Sequence, residues 1–248
     1  MTAGKIFCEN IHEPVWNSLP DYSISPAIDL WRISIKHHKF SKDQYTPLLS
    51  REERLKVKRY HQQRDKLRFT LGKGLLRLIL SRYLGRSPEK IQFGYGINNK
   101  PFVKEGANLQ FNVSYSHNYV MIAISSEPVG VDIEYINPAF DYPMVMESCF
   151  MKEEIQVIQQ DLSPQKVFFQ SWTRKEALLK ATSLGLDDYL RDFSCLDGMQ
   201  ELPKKFGQTG NWRIKTFVME QEYQVSIAQE QLQTIRYCKD DLLPGIPA

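Results

Sequence analysis

Alternation of apolar and polar residues predicts strands in two separate parts of the chain. In the first part, the alternating segment at 30–35 is followed by short runs rich in branched and aromatic residues, which are typical of strands. These runs lie at 91–95, 111–115, 120–125 and 129–133. In the second part, similar runs lie at 213–219, 223–228 and 234–238. The first 29 residues contain three prolines and predict a loosely structured beginning.

Two long segments have the residue spacing of helices. The first, basic in character, covers about 50–84 and stops at Gly85, a residue favoured directly after a helix. The second covers about 164–184 and stops at Gly185. It begins with a proline, which suits the first position of a helix, and the preceding Ser163 is expected to cap it.

Strands and helices that are segregated along the chain predict an α+β fold. The two helical segments also share a pattern: FTLGKGLLR at 69–77 corresponds to WTRKEALLK at 172–180. Both copies lie in a long helix that stops at a glycine. We therefore predict two halves, an N-terminal one at 1–125 and a C-terminal one at 126–248.

The composition is that of a globular protein that can bury a core, with 42% hydrophobic and 25% charged residues in a chain of 248. No run of about 18 apolar residues occurs, which excludes a membrane span, and the first ten residues have no apolar stretch typical of a secretory signal. The four cysteines are scattered and form no CxxC pair, so free thiols in a reducing compartment are expected. We expect a cytoplasmic protein.

Positive charge is concentrated in one part of the chain. The net charge is only +3, but 51–86 holds twelve Lys or Arg against three acidic residues, a local +9. Such a block indicates a polyanionic partner, which could be a phosphate-bearing ligand, a nucleic acid or an acidic protein. A solvated helix face would have the same composition.

Two carboxylates lie two residues apart in GVDIE, residues 130–134. In a strand, Asp132 and Glu134 would point to one face, and Val131 and Ile133 to the other. Two anions on one face repel each other unless a cation lies between them, and oxygen ligands favour Mg²⁺ or Mn²⁺. A strand end that leaves the core for water is the alternative.

A second carboxylate motif lies on the helix at 164–184. Glu176 and Lys180 are four residues apart and therefore neighbours on its surface, with Glu176 at the margin of the apolar face one turn after Trp172. This is a suitable place for a third metal ligand or a general base, although an ordinary helix salt bridge would look the same. Lys175 falls inside the apolar arc, and we expect its stem to be buried with the ammonium in water.

These motifs, in this order, resemble the surfactin-synthetase-activating type of 4′-phosphopantetheinyl transferase. The resemblance covers about 50–187 and rests on NKP at 99–101, FNVSYS at 111–116, GVDIE at 130–134 and WTRKEALLK at 172–180. GxDxE alone is weak evidence, but WxxKEAxxK some forty residues later makes the combination specific. The basic block upstream is similar to another family region. The chain departs from the family at Tyr115, where a histidine is usual.

The resemblance implies the fold and the catalytic residues. The family fold is a pseudo-dimer of two similar α+β halves, each a small, mainly antiparallel sheet with a long helix, and coenzyme A lies in the cleft between them. By correspondence with the family motifs, Asp132, Glu134 and Glu176 are the expected Mg²⁺ ligands. Glu176 corresponds to the general base and Lys180 to a charge-stabilising residue.

The resemblance also implies a nucleotide site. Lys56 matches a position that contacts the 3′-phosphate of coenzyme A, with Arg54 and Arg59 beside it as helpers. Lys100, Ser114 and Tyr115 match positions around the adenosine and its phosphates.

The implied activity is transfer of the 4′-phosphopantetheine group from coenzyme A to a serine of an apo carrier protein, releasing 3′,5′-ADP, by a monomeric enzyme. The resemblance leaves open whether the carrier serves fatty acid, polyketide, nonribosomal peptide or lysine synthesis. The alternatives are a nucleic-acid-binding protein that uses the basic helix and a Mg²⁺-dependent phosphodiesterase that uses Asp132 and Glu134. The first lacks any recognisable nucleic-acid motif, and the second lacks the further ligands of a two-metal site.

Overall fold

The computed structural model describes residues 4–18, 20–38, 42–104, 108–185, 189–207, 209–232 and 234–240. Its helices are α1 (Ile35–His38), α2 (Lys42–Tyr45), α3 (Arg51–Arg59), α4 (Gln63–Leu84), α5 (Pro143–Cys149), α6 (Lys152–Gln160) and α7 (Pro164–Thr182). Its strands are β1 (Gly4–Asn10), β2 (Ile28–Ser34), β3 (Phe93–Tyr95), β4 (Pro101–Val103), β5 (Gln110–Ser116), β6 (Tyr119–Ser125), β7 (Val129–Tyr135), β8 (Gly198–Leu202), β9 (Asn211–Met219), β10 (Tyr223–Glu230) and β11 (Ile235–Lys239). The predicted α+β class is confirmed.

Two sheets form the middle of the molecule. One has five strands in the order β7-β10-β9-β1-β8, and the other has four in the order β11-β2-β6-β5. Pairing is antiparallel except between β1 and β9 and between β11 and β2. Strand β1 therefore joins strands from the end of the chain, and β11 joins strands from its beginning.

The two sheets pack against each other, and each carries one long helix on its outer face. Alternation along β2 shows this, because Leu30 belongs to the core between the sheets, whereas Trp31 and Ile33 belong to the core beneath α4. Along β7, Val131 and Ile133 face the core between the sheets, and Gly130 faces α7. The layers are thus α4, the four-stranded sheet, the five-stranded sheet and α7.

The basic segment predicted as one long helix is two helices. Helix α3 begins with a capping box between Ser50 and Glu53, and it ends before Tyr60, whose backbone is extended. Helix α4 covers Gln63–Leu84, and Gly85 follows it with φ +59°, which confirms the predicted stop. The break therefore divides the basic residues between two separate helices.

Helix α7 begins at the predicted residue but ends earlier. Ser163 occupies the N-cap position before Pro164, as predicted, although its side chain makes no capping hydrogen bond. The helix ends at Thr182, and Ser183 rather than Gly185 takes the left-handed backbone conformation, with φ +59°. The Asn98 side-chain nitrogen donates to the Ser183 carbonyl at 2.9 Å. This partner comes from a distant part of the chain, so the local sequence could not show it.

The predicted strands are present with bounds shifted by a few residues, and β1, β4 and β8 were not predicted. The expectation of a loosely structured beginning is wrong for Gly4–Asn10, which is a strand with Ile6 and Cys8 buried. It is held between β8 and β9, both about two hundred residues away in sequence. In the described part of the chain, no helix is long and apolar enough to span a membrane.

Candidate active site

The site lies where β5, at the edge of one sheet, meets β7, at the edge of the other. An edge strand has backbone groups without a strand partner. Three polar side chains of β5 accept hydrogen bonds from the backbone of β7 instead: Asn112 from Val131 at 2.9 Å, Ser114 from Ile133 at 3.4 Å and Ser116 from Tyr135 at 2.8 Å. These three alternate residues of β5 thus join the sheets and fix the position of β7.

The two carboxylates of β7 point to one face, as predicted, and lie against β5. Asp132 is 2% exposed, and its Oδ1 atom accepts a hydrogen bond from the Ser114 hydroxyl at 2.7 Å. Its buried Oδ2 atom has no hydrogen-bond partner among the described residues. Glu134 accepts from the Ser116 hydroxyl at 3.2 Å. Burial, and next the charge of Asp132, raises the pKa of Glu134 to about 7.

Helix α7 adds Glu176 and Lys180 to this face. Gly130 lets the helix approach closely, because a Cβ atom there would overlap the Ala177 carbonyl oxygen. The Lys180 ammonium lies 2.6 Å from Asp132 Oδ1 and 3.5 Å from a carboxylate oxygen of Glu176. Burial lowers the pKa of Lys180, but the nearby carboxylates, Asp132 foremost, outweigh it and raise that pKa.

The carboxylates expected to bind a metal are therefore neighbours. Within the described residues, no group of three or more His, Cys, Asp or Glu side chains has the arrangement of a metal site. The Lys180 ammonium lies between Asp132 and Glu176. The residues nevertheless fit Mg²⁺ chemically, because every carboxylate donor is oxygen and the buried Asp132 Oδ2 lacks a protein partner.

A second concave site, of about 320 Å³, lies between α3, α4 and β5. Lys56, Arg68, Lys73 and Tyr115 line it, together with Asp65 and several apolar and uncharged polar residues. Burial lowers the pKa of Lys73 and raises that of Tyr115. The Tyr115 ring fits against Gly72, where a Cβ atom would overlap it. Of the residues assigned to the nucleotide, Lys56 and Tyr115 are therefore together.

Arg68 and Lys73 were not assigned to this site from the sequence. They lie in the basic block, but a charge count cannot distinguish a pocket residue from a solvated one. Arg54 and Arg59 were assigned to the 3′-phosphate as well, but neither lines this pocket. The Arg54 guanidinium donates to the Leu49 carbonyl at 2.7 Å and lines a separate cavity of about 690 Å³. Arg59 lines a surface depression that it shares with Lys56 and Tyr60.

Lys100 contacts the end of α7. Its ammonium donates to the Ala181 carbonyl at 3.0 Å, and burial lowers its pKa to about 8. Because the carbonyls of a last helical turn lack intrahelical partners, this contact satisfies one of them. Lys100 thus links the turn before β4 to the helix that carries Lys180.

Lys175 is fully buried, so the expectation that its ammonium reaches water is wrong. It lies 2.7 Å from Glu154 of α6, whose side chain is likewise fully buried. It also donates to the carbonyls of Leu190 and Phe193. Three partners match the three protons of an ammonium, so the charge is compensated without solvent. The contact holds α7 to α6 directly beside Glu176.

Two family models match the chain in succession. One, described as 4′-phosphopantetheinyl transferase, N-terminal, matches residues 32–127. The other, described as the 4′-phosphopantetheinyl transferase superfamily, matches residues 128–228. The boundary between them falls just before β7.

Individual proteins are similar over most of their length. The 4′-phosphopantetheinyl transferase HetI of a Nostoc species is 33% identical over 169 residues, which cover 66% of this chain and 71% of HetI. The transferase psf-1 of Bacillus pumilus is 33% identical over 170 residues, 68% and 72% of the two chains. The transferase Sfp of Bacillus subtilis is 28% identical over 192 residues, 75% and 84%.

The chain therefore belongs to the 4′-phosphopantetheinyl transferase superfamily, as its motifs indicated. It is an enzyme that transfers the 4′-phosphopantetheine group of coenzyme A to carrier proteins. The nucleic-acid-binding and phosphodiesterase alternatives are not supported.

Proposed function

We propose that Asp132, Glu134, Glu176 and Lys180 form the transfer centre, and that the three carboxylates bind Mg²⁺, for which Mn²⁺ can substitute. The observation that carries this is Asp132 Oδ2, a buried carboxylate oxygen without a partner among the described residues. Such an atom is costly unless a cation or donor satisfies it. The bound cation would neutralise charge on the pyrophosphate of coenzyme A and make its phosphorus easier to attack.

Protein side chains would accept the proton and stabilise the developing negative charge. Glu176 would accept the proton of the carrier serine as the serine oxygen bonds to the β-phosphorus of coenzyme A and the bond to 3′,5′-ADP breaks. Lys180 would donate hydrogen bonds to the phosphate oxygens on which charge accumulates. The Ser114 hydroxyl, which contacts both Asp132 and Lys180, would keep these two groups in place.

The pocket lined by Lys56, Arg68, Lys73 and Tyr115 would bind the 3′-phosphate of coenzyme A. Three cationic side chains and one carboxylate, that of Asp65, which pairs with Arg68 at 3.1 Å, line this concave surface, and the remaining positive charge favours an anionic group. The neutral Tyr115 hydroxyl would donate a further hydrogen bond. Lys100, whose ammonium contacts the end of α7, would bind the phosphates next to the adenosine.

Coenzyme A would then extend between two halves of similar build, 1–125 and 126–248, in the manner of a pseudo-dimer. Support comes from the layers, because each half supplies most strands of one sheet and the long helix that covers it, while β1 and β11 each join the sheet of the other half. The partner would be an apo carrier protein that presents its serine at the transfer centre, and the enzyme would act as a cytoplasmic monomer.

Mass spectrometry of apo carrier proteins incubated with coenzyme A and Mg²⁺ tests this function. The carrier should gain the mass of one phosphopantetheine group. EDTA should stop the reaction, and Mn²⁺ should restore at least part of it. D132A should abolish transfer with an unchanged circular dichroism spectrum, whereas E201A, at an exposed acid of β8, should be active. Full activity in EDTA would contradict the metal assignment.

A further inference from the structure

The ammonium of Lys180 lies among the site's carboxylates, where a metal ion would otherwise balance their charge. It lies 2.6 Å from Asp132 Oδ1 and 3.5 Å from a Glu176 oxygen, and 3.3 Å from the Ser114 hydroxyl. The Asp132 side chain is 3% exposed, so water stabilises its negative charge only weakly. The ammonium therefore compensates the carboxylates that we assign to the metal.

A divalent cation on these carboxylates would lie close to this ammonium. The metal would bind Asp132 Oδ2, and the ammonium lies on Oδ1 of the same carboxylate. Two cations on one carboxylate repel each other strongly here, because the site is mostly shielded from solvent. The metal can bind fully only if Lys180 moves away from Asp132. Lysine has a long, flexible side chain, and that of Lys180 is 23% exposed, so part of it already borders solvent.

The ammonium also needs a new partner when it leaves. The pyrophosphate of coenzyme A would offer the ammonium anionic oxygens in place of Asp132. Water, which is uncharged, would stabilise the ammonium less. The nucleotide therefore favours metal binding by taking Lys180 away from Asp132, and the metal favours nucleotide binding by releasing Lys180. Such linkage is reciprocal.

We propose that Lys180 acts as an internal counter-cation that holds the metal site closed to divalent ions until coenzyme A binds. This inference rests on the proposed metal ligands. It assigns Lys180 a second task besides its contact with phosphate. In consequence, loss of the Lys180 charge should strengthen metal binding to the protein without nucleotide, although it weakens catalysis.

Titration of Mn²⁺, followed by electron paramagnetic resonance of the free ion, tests the proposal without reference to activity. Wild type, K180Q, the charge-retaining K180R and the ligand variant D132N are compared, each with and without coenzyme A. Without coenzyme A, K180Q should bind Mn²⁺ about tenfold more tightly than wild type, and K180R should resemble wild type. In K180Q, coenzyme A should also increase Mn²⁺ affinity by a smaller factor.

Equal or weaker Mn²⁺ binding by K180Q overturns the proposal. If wild type binds Mn²⁺ in a manner that depends on Asp132 while K180Q shows no gain, only the counter-cation role fails. If D132N binds Mn²⁺ as wild type does, the proposed metal site itself fails. If K180Q is too unstable for the titration, thermal unfolding is measured instead. Mn²⁺ must then raise the unfolding midpoint temperature of K180Q more than that of wild type. An equal or smaller rise overturns the proposal.

Discussion

Ser114 donates its hydroxyl hydrogen to Asp132 across 2.7 Å, although the two residues belong to different sheets. The same hydroxyl oxygen accepts from the Ile133 backbone at 3.4 Å. One side chain thus orients the carboxylate and joins the sheets at that point. The geometry of the transfer centre therefore depends on how the two sheets meet, and changes at this junction affect fold and site together.

Substitution of Glu176 distinguishes a general base from a metal ligand. E176Q retains one coordinating oxygen but cannot accept a proton. If Glu176 is the base, kcat should fall by roughly 10²–10⁴, while coenzyme A binding with Mg²⁺ should stay within about tenfold of wild type. The acidic limb of the pH–rate profile should also flatten. Recovery of kcat at saturating Mg²⁺ would instead indicate a ligand role alone.

Lys56 should determine discrimination between coenzyme A and dephospho-coenzyme A. The wild type should prefer coenzyme A in kcat/KM, because the 3′-phosphate would lie among Lys56, Arg68 and Lys73. K56A should reduce this preference, since one of the discriminating charges is lost. K58A is the matched control, because Lys58 is an exposed lysine of the same helix and is not among the residues that line this pocket. An unchanged preference in K56A would place the 3′-phosphate elsewhere.

The pKa of Lys100, lowered to about 8 by burial, predicts how its contribution to stability varies with pH. Between pH 8 and about 10.4, the unfolded chain binds a proton at this residue that the native protein does not. The free energy of unfolding should therefore rise with pH over this range relative to K100M. Urea unfolding at pH 8, 9 and 10 measures the difference. Parallel pH dependences in both proteins would contradict this prediction.

The buried pair of Lys175 and Glu154 should be important for stability. K175M leaves the Glu154 carboxylate buried without its cation, which should cost about 3–5 kcal/mol in the free energy of unfolding. The double variant K175M/E154L removes both charges and should be more stable than K175M. Urea unfolding of wild type, the two single variants and the double variant gives the coupling energy. Additive effects would show that the two charges do not stabilise each other.

The candidate site was predictable from the sequence where its geometry is local. Alternation in a strand directs Asp132 and Glu134 to one face, and helical spacing makes Glu176 and Lys180 neighbours. The structure contains both arrangements. Lys175 was misjudged because a lysine on an apolar face looks alike whether its ammonium reaches water or a buried acid. The partner, Glu154, lies on another helix.

The sequence by itself determined the α+β class, the order of most strands and helices, and the family. These depend on periodicity and motifs, which act over a few residues. Only the tertiary structure decided that β1 and β11 exchange between the sheets, that Arg68 and Lys73 join Lys56 in one pocket, and that the ammonium of Lys180 rests on Asp132. These relations join residues far apart in the chain, and their distances follow from how the layers pack.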